Sequence, residues 1–561
     1  MSFDEASWLN TCATAPQVLI APAVVWLAAA YGIRRVLVGP AILYAGVSLI
    51  IPLVSDLQTL LVLVSLHSLL LGTFVPAAIM IIFRHVPTRL WLAAIAVYCM
   101  RVGCTQNLGV WLVGFYMEHL SWHWMYWQDV VPTLLMAWLA YAGCSHQSIN
   151  RAMVANADWG GMLLFGAGLA MIYVGLDQGN RLDWFNSGIV SSFLFAGVLL
   201  LLAFLVNEAV VPMPWASVSV LFSRNIILAL AILLLFSLTN LSNTSLVPNF
   251  LLGVAQLRPE QVGPFLLFYV VGPMLLFLLL AVRLLKRLDA RLTALLGLLS
   301  FGVAALLGTR LTHEWVREDF VPLLLLQAVG EAFTLFSLIV IVLTNSDPAR
   351  AAAFSAYIQV VRLGSAEFGA AALSTWLRVR EQMHSNWLGK YVQGGAQEVA
   401  DALAGLSMSF AQHGVSQARD RGLLRLGAII RREANVLAYI DGFWLAFAAA
   451  ALGLLLLAAI TEPPAGPLTP FRHPDNGTGR SQERAAGRPG PKRASIVSEI
   501  TSAFIALVAG SRRVGLQVKP ARYLVGGTMK CGYSIRIEPD PLHDPNTWKW
   551  IDGPLKPPEQ V

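Results

Sequence analysis

The chain is 561 residues long, 57% hydrophobic and only 13% charged, with a mean hydropathy of +0.64. A soluble domain carries roughly 25% charged residues, so this balance excludes a chain solvated mainly by water and points to a polytopic all-α membrane protein. The formal charge of +7 then reads as Arg- and Lys-rich cytoplasmic loops, with no nucleic-acid partner. The five cysteines form no metal-ligand pattern, Cys99 and Cys104 being four residues apart within one apolar run.

Apolar stretches long enough to cross a bilayer as helices predict thirteen spans, near 12–32, 36–54, 58–83, 91–115, 126–145, 160–178, 188–207, 225–248, 262–284, 291–309, 320–343, 352–376 and 437–460. The acidic opening MSFDEASW runs straight into the first, without a cleavable signal pattern. Alternate loops hold eleven basic residues, among them Arg34, Arg35, Arg84, Arg151 and Arg350, against four in the opposite short loops. The richer set belongs in the cytoplasm, which puts the N-terminus outside and the C-terminus inside. Residues 377–436 read as a long outside loop with helix-like stretches such as GGAQEVADALAGLSMSFAQHG. A cytoplasmic tail, 461–561, begins with a Pro/Gly/Arg-rich linker of disordered composition. Beyond it, SIVSEITSAFIALVAG is too short to span and suits a surface helix, and YLVGGTMKCGYSIRIEP has hairpin character.

The stretch SWHWMYWQDVVP, 121–132, heads the fifth predicted span. Tryptophan and tyrosine settle at the headgroup level, and a proline is tolerated in the first turn of a helix. An aromatic belt explains the composition but not the spacing of Trp122, Trp124, Tyr126, Asp129 and Pro132. That spacing resembles the W-x-W-x-x-x-x-N-x-P stretch of the major facilitator superfamily, in its 14-helix drug:proton antiporter branch of the EmrB type. Asp129 stands where the family usually has Asn. DWGGMLLFGAGLAMIYVGLDQGNRLDWFNS (158–187), LFSRNI (221–226), LVPNFLLGVAQLRPEQVG (246–263) and RVREQMHSNWL (378–388) resemble further segments in the same order.

The resemblance covers about 8–460. It implies two six-helix halves plus two extra central helices, with about thirteen spans present. The N-terminal half is 1–157, the extra helices 158–209, and the C-terminal half 210–460. Ser7-Trp8 aligns with the start of the family's second helix, so the first is expected to be missing. In the helix 2–3 loop, VWLAAAYGIRR keeps Gly32, Arg34 and Arg35 as the conformational-switch loop, while Ala29 and Ala30 replace the usual Asp and Arg. The antiporter motif G-P-x-x-G-G reads GVWLVG, without its proline.

Polar side chains within spans are costly, about 2.5–3.5 kcal/mol for a central Arg or Asp, and each one asks for a reason. Arg101, with Gln106 and Asn107 further along its span, is a candidate substrate or carboxylate contact; the alternatives are a structural ion pair or snorkelling. Glu331 follows Gln327 by four residues, on one helix face, and suits a site that binds and releases a proton; the alternative is a fixed ion pair with Arg101 or Arg362. Arg362 matches a family arginine and reads as structural or functional. Glu367, five residues on, is angled away from it. His67 stands where the family has Gln and is either a titrating or a packing residue. Asn240 and Asn243 line a polar wall or join helices.

No G-x-S-x-G, H-E-x-x-H or phosphate-binding loop occurs, so no enzyme chemistry, cofactor or metal is expected. The expected function is proton-coupled export of hydrophobic or amphipathic small molecules across a bacterial inner membrane. The resemblance also implies a periplasmic adaptor and an outer-membrane channel as partners. The competing expectation is a transport-inactive scaffold or sensor acting through the outside loop or tail. A start codon placed too late would instead explain the missing helix.

Overall fold

The computed structural model describes residues 3–87, 90–211, 215, 223–345, 351–392, 397–410 and 415–461, together with three strands in the tail. Two compact units emerge, Met1–Thr478 and Gly479–Val561. Among the described residues, the regular elements of the first are all helices. The N-terminal part comprises α1 (Phe3–Tyr31), α2 (Ile33–Ile50), α3 (Leu57–Leu71), α4 (Phe74–His85), α5 (Trp91–Asn107), α6 (Gly109–His119), α7 (Trp124–Trp127), α8 (Val130–Gly143) and α9 (Arg151–Ala155). Then come α10 (Trp159–Gly179) and α11 (Gly188–Val210). The remainder is α12 (Arg224–Leu241), α13 (Val247–Gly253), α14 (Pro259–Leu266), α15 (Gly272–Leu285), α16 (Ala290–Gly308), α17 (Val321–Thr344), α18 (Ala351–Tyr391), α19 (Gln397–Met408) and α20 (Val415–Ala458). Single π turns, Ser242–Leu246 and Leu267–Val271, join α12 to α13 and α14 to α15.

Among the described residues, ten helices are long and apolar enough to cross a membrane, and they coincide with ten of the predicted spans. The other three are helical but differ in form. Predicted span 91–115 breaks at Leu108 into α5 and α6, 126–145 is the short α7 followed by the 14-residue α8, and 352–376 lies within the 41-residue α18. Helix position follows surface chemistry. In 317–344, 83% of the most apolar window is buried, against 17% in 188–210. So α17 runs through the centre of the bundle, while α11, apolar all round, turns most of its surface to lipid.

The predicted outside loop is largely helical. α18 and α20 run past their apolar parts without a break, and α19 packs against α20. At about 1.5 Å per residue, 41- and 44-residue helices are about 60–65 Å long, twice the roughly 30 Å hydrocarbon layer.

In the tail unit, β1 (Leu516–Val525) and β2 (Thr528–Ile537) pair antiparallel from Leu516↔Ile537 to Val525↔Thr528, with β3 (Trp550–Asp552) against β2. The hairpin expected there is present. The linker after Thr461, the segment SIVSEITSAFIALVAG and Arg350 lie outside the described residues.

Candidate functional site

The central polar cluster is built by α5, α12 and α17, near the middle of each membrane segment. From α17 come Gln327 and Glu331, 0% and 3% exposed, one turn apart on one face. From α12 and its π turn come Asn240, Ser242 and Asn243, all buried. The last turn of α5 supplies Gln106 and Asn107. A π turn inserts a residue into the helical register, here within the polar run TNLSNTS.

Asn107 is the hub. Its Nδ2 donates to Glu331 Oε1 and Oε2 at 3.1 and 3.0 Å and to the Gly103 carbonyl at 2.9 Å. Asn243 Nδ2 donates to Asn107 Oδ1 at 2.9 Å and also reaches the Glu331 carboxylate. Alongside, Asn240 Nδ2 donates to Gln106 Oε1 at 2.9 Å, and Gln327 Nε2 donates to Ser242 Oγ. The helices approach this closely because α5 has Gly103 opposite α17. A Cβ there would run into Met274 Sδ and stand 3.0 Å from Glu331 Oε1.

The groups acting on Glu331 are two neutral amides, not an arginine. The ion pair with Arg101 or Arg362 considered from the sequence is not formed. Arg101 is exposed, six residues nearer the start of α5 than Asn107, and its charged neighbour is Arg362 on α18.

His67 is not part of this cluster. Its Nε2 lies 3.0 Å from Ser48 Oγ, and its ring stacks on Tyr44 at 4.0 Å and meets Tyr126 edge-on at 5.8 Å. Tyr44 in turn donates to Asp129 Oδ2 at 2.8 Å. The family-signature residues thus frame a separate α2–α3–α8 cluster. Asp129 ends the α7–α8 connection there, Pro132 is third in α8, and Trp122 and Trp124 are 45% and 41% exposed, as a headgroup belt requires.

The residues expected to form a switch loop join α2 to the end of α8. Gly32 caps α2 at φ +89°, a conformation that favours glycine. Arg34 lies over the Tyr141 ring at 3.7 Å. Arg35 donates to the Tyr31 carbonyl at 3.3 Å and contacts His146 at 3.3 Å.

Sequence reasoning missed a third network, where α1, α10 and α18 meet. Glu367 bonds Tyr173, with Asp177 close by. Asn10 and Thr11 donate to Asp177, and Gln178 Nε2 donates to Ser7 Oγ and Thr11 Oγ1 at 3.1 and 2.6 Å. Asp177 ends an apolar run, and no pattern within α10 tells which helices it lies against. Ser242 was also missed, although a serine within so polar a run of an apolar span was a usable signal.

Among the described residues no three His, Cys, Asp or Glu side chains gather to hold a metal. The arrangement offers one carboxylate, its proton and a set of amide donors and acceptors inside a membrane bundle.

Comparison with known proteins agrees with this architecture. The family model described as Major Facilitator Superfamily matches residues 1–370. The chain is 22% identical over 490 residues to the multidrug export protein EmrB of Haemophilus influenzae, covering 83% of this chain and 90% of that one. It is 23% identical over 432 residues to Escherichia coli EmrB, covering 73% and 80%. Against the fatty acid resistance protein FarB of Neisseria gonorrhoeae it is 22% identical over 429 residues, covering 75% and 82%. With the helical bundle and its buried polar centre, these matches establish a multi-span membrane transporter rather than an enzyme: the chain belongs to the major facilitator superfamily.

Proposed function

We propose that this transporter exports hydrophobic or amphipathic small molecules from the cytoplasm in exchange for protons, by alternating access between its two halves. The observation that carries the reading is Glu331, buried in mid-bundle and held by uncharged amides from α5 of the first half and α12 of the second. An ionised carboxylate at mid-membrane costs about 2.5–3.5 kcal/mol on insertion scales. Hydrogen bonds to a charged group return about 1.5–3 kcal/mol each, so the two protonation states lie close in free energy. A group with partners from both halves changes the bonding between them whenever it takes or loses a proton.

In this reading Gln106, Asn107, Asn240, Asn243 and Gln327 line the substrate and proton path with Glu331. Arg101 and Arg362 stand on its cytoplasmic side, and Gly32, Arg34 and Arg35 form the switching loop. His67 packs the first half. The names of the relatives, multidrug export and fatty acid resistance, support a hydrophobic or amphipathic substrate. The long α18–α19–α20 projection supports a bacterial inner-membrane location with a periplasmic adaptor and outer-membrane channel as partners.

The test is dye-driven proton release in inverted vesicles, comparing the intact chain with Glu331→Gln. Release that the substitution abolishes supports exchange at Glu331. Release that survives moves the proton site elsewhere. Folded, inserted protein that moves nothing makes the transport-inactive scaffold the reading to pursue.

A further inference from the structure

The amides between α12 and α17 share one chemical bias. Asn240 donates to Gln106, Asn243 to Asn107 and Gln327 to Ser242, so each side-chain NH2 is engaged within the protein. Their carbonyl ends are not. Asn240 Oδ1, Asn243 Oδ1 and Gln327 Oε1 are buried without a hydrogen-bond partner, in side chains 3%, 1% and 0% exposed. A buried acceptor without a donor is costly. These three occupy one stretch of seam: Asn240 and Asn243 are three residues apart, and Gln327 is tied to Ser242 between them. With the Glu331 carboxylate beside them, the seam is rich in unpaired acceptors.

We propose that this seam binds N–H or O–H donor groups of the transported molecule, and that Asn243 is the residue through which the proton on Glu331 controls that binding. The inference deepens the export reading above and rests on it. With Glu331 ionised, Asn243 points Nδ2 at Asn107 and Glu331 and leaves Oδ1 for a ligand donor. When Glu331 takes a proton, its new O–H needs an acceptor, and Asn107 offers it only N–H. A half-turn of the Asn243 amide, whose two ends have nearly the same shape, brings Oδ1 to the Glu331 hydroxyl and exchanges the bond to Asn107 Oδ1 for this one. Nδ2 then points where the acceptor was, and a donor meets a donor. A ligand donor seated at Asn243 is rejected until the proton leaves and the amide turns back. One O–H bond on Glu331 forms and breaks; nothing else changes covalently.

Few other groups intrude. Cys104 on α5 is the titratable side chain within electrostatic reach of Glu331, and Arg101 faces Arg362. Residues 225–246, 272–282 and 292–308 of the packing helices contain no ionisable side chain. Tyr269, in the second π turn, packs on Phe265 and Phe268.

The experiment uses the full chain in lipid nanodiscs and two fluorescent probes, N-phenyl-1-naphthylamine, with one N–H, and its N-methyl derivative, with none. At alkaline pH the N–H probe is expected to bind at least about tenfold more tightly, the typical effect of leaving a buried acceptor unpaired. The preference disappears at acidic pH. Asn243→Leu removes it at both. Glu331→Gln, whose amide donates as the protonated acid does, removes it at both as well, and so carries the test should the leucine variant fail to fold. Equal binding of the probes, binding of neither, a preference indifferent to pH, or sodium-dependent binding of either overturns the inference. Equal binding in protein whose proton release still needs Glu331 leaves the exchange reading standing. A pH-gated preference without any proton release sinks the exchange reading instead.

Discussion

Two of the polar clusters inside the membrane part of this protein are built on opposite principles. Around Asp129, the carboxylate accepts from Tyr44, the Tyr44 ring stacks on His67, and His67 contacts Ser48. Around Glu331, the carboxylate is held by Asn107 and Asn243, and the Oδ1 of Asn243, with Asn240 Oδ1 and Gln327 Oε1 nearby, lacks a partner. The first arrangement has little to gain from a ligand or a second state. The second has acceptors left over and a carboxylate whose partners come from different helices. An acid within a membrane span is therefore not functional merely because it is costly; what matters is whether its surroundings are complete.

The largest effect expected is that of Glu331→Gln, which should lower substrate-driven proton release at least about a hundredfold while melting temperature stays near that of the parent. The same loss from Asp129→Asn would break the comparison. Asn107→Leu should come next, with transport down about tenfold or more and stability lower by about 1–3 kcal/mol, because Glu331 loses its main donor; vesicle transport and thermal unfolding measure both. On the other cluster, Tyr44→Phe and Asp129→Leu should each cost about 1–2 kcal/mol of stability and leave transport per folded molecule unchanged. Their double variant should cost less than the sum, which a two-by-two melting series would show. The smallest effect concerns Asp183, in the loop between α10 and α11. Its hydrogen bond from Asn186, then its contact with Arg378, hold its carboxyl below the usual range. A depressed value stabilises above the ordinary carboxylate pKa of about 3.9 and loses that contribution as pH falls through the folded value. Asp183→Asn should therefore lower the melting temperature slightly at neutral pH and lessen its acid sensitivity, the variant and the parent converging at low pH.

Much of the frame was legible because the bilayer imposes a length and a polarity on each span. Glu331, Gln327, Asn240 and Asn243 stood out as polar residues in apolar runs, and the structure brings them together. His67 stood out equally and belongs elsewhere, since polarity in a span marks a cost without naming the partner that meets it. The π turn at 242–246 left no readable pattern, because it depends on contacts between helices rather than on local propensity. The same is true of Gly103, whose importance appears only when Met274 and Glu331 stand opposite it. The Asp177–Glu367 network joins residues 190 positions apart, a distance across which one sequence gives no pairing signal.

The unbroken length of α18 has a mechanical consequence. The helix that holds Arg362 beside Arg101 continues, without a joint, to Tyr391, well past its apolar part. A rigid rod acts as a lever: at about 1.5 Å per residue the tip at Tyr391 lies about 44 Å from Arg362, and a 5° tilt at Arg362 would swing it by about 4 Å. Whatever touches that tip would feel each transport cycle as a displacement, and a load placed on it would push back on the pathway.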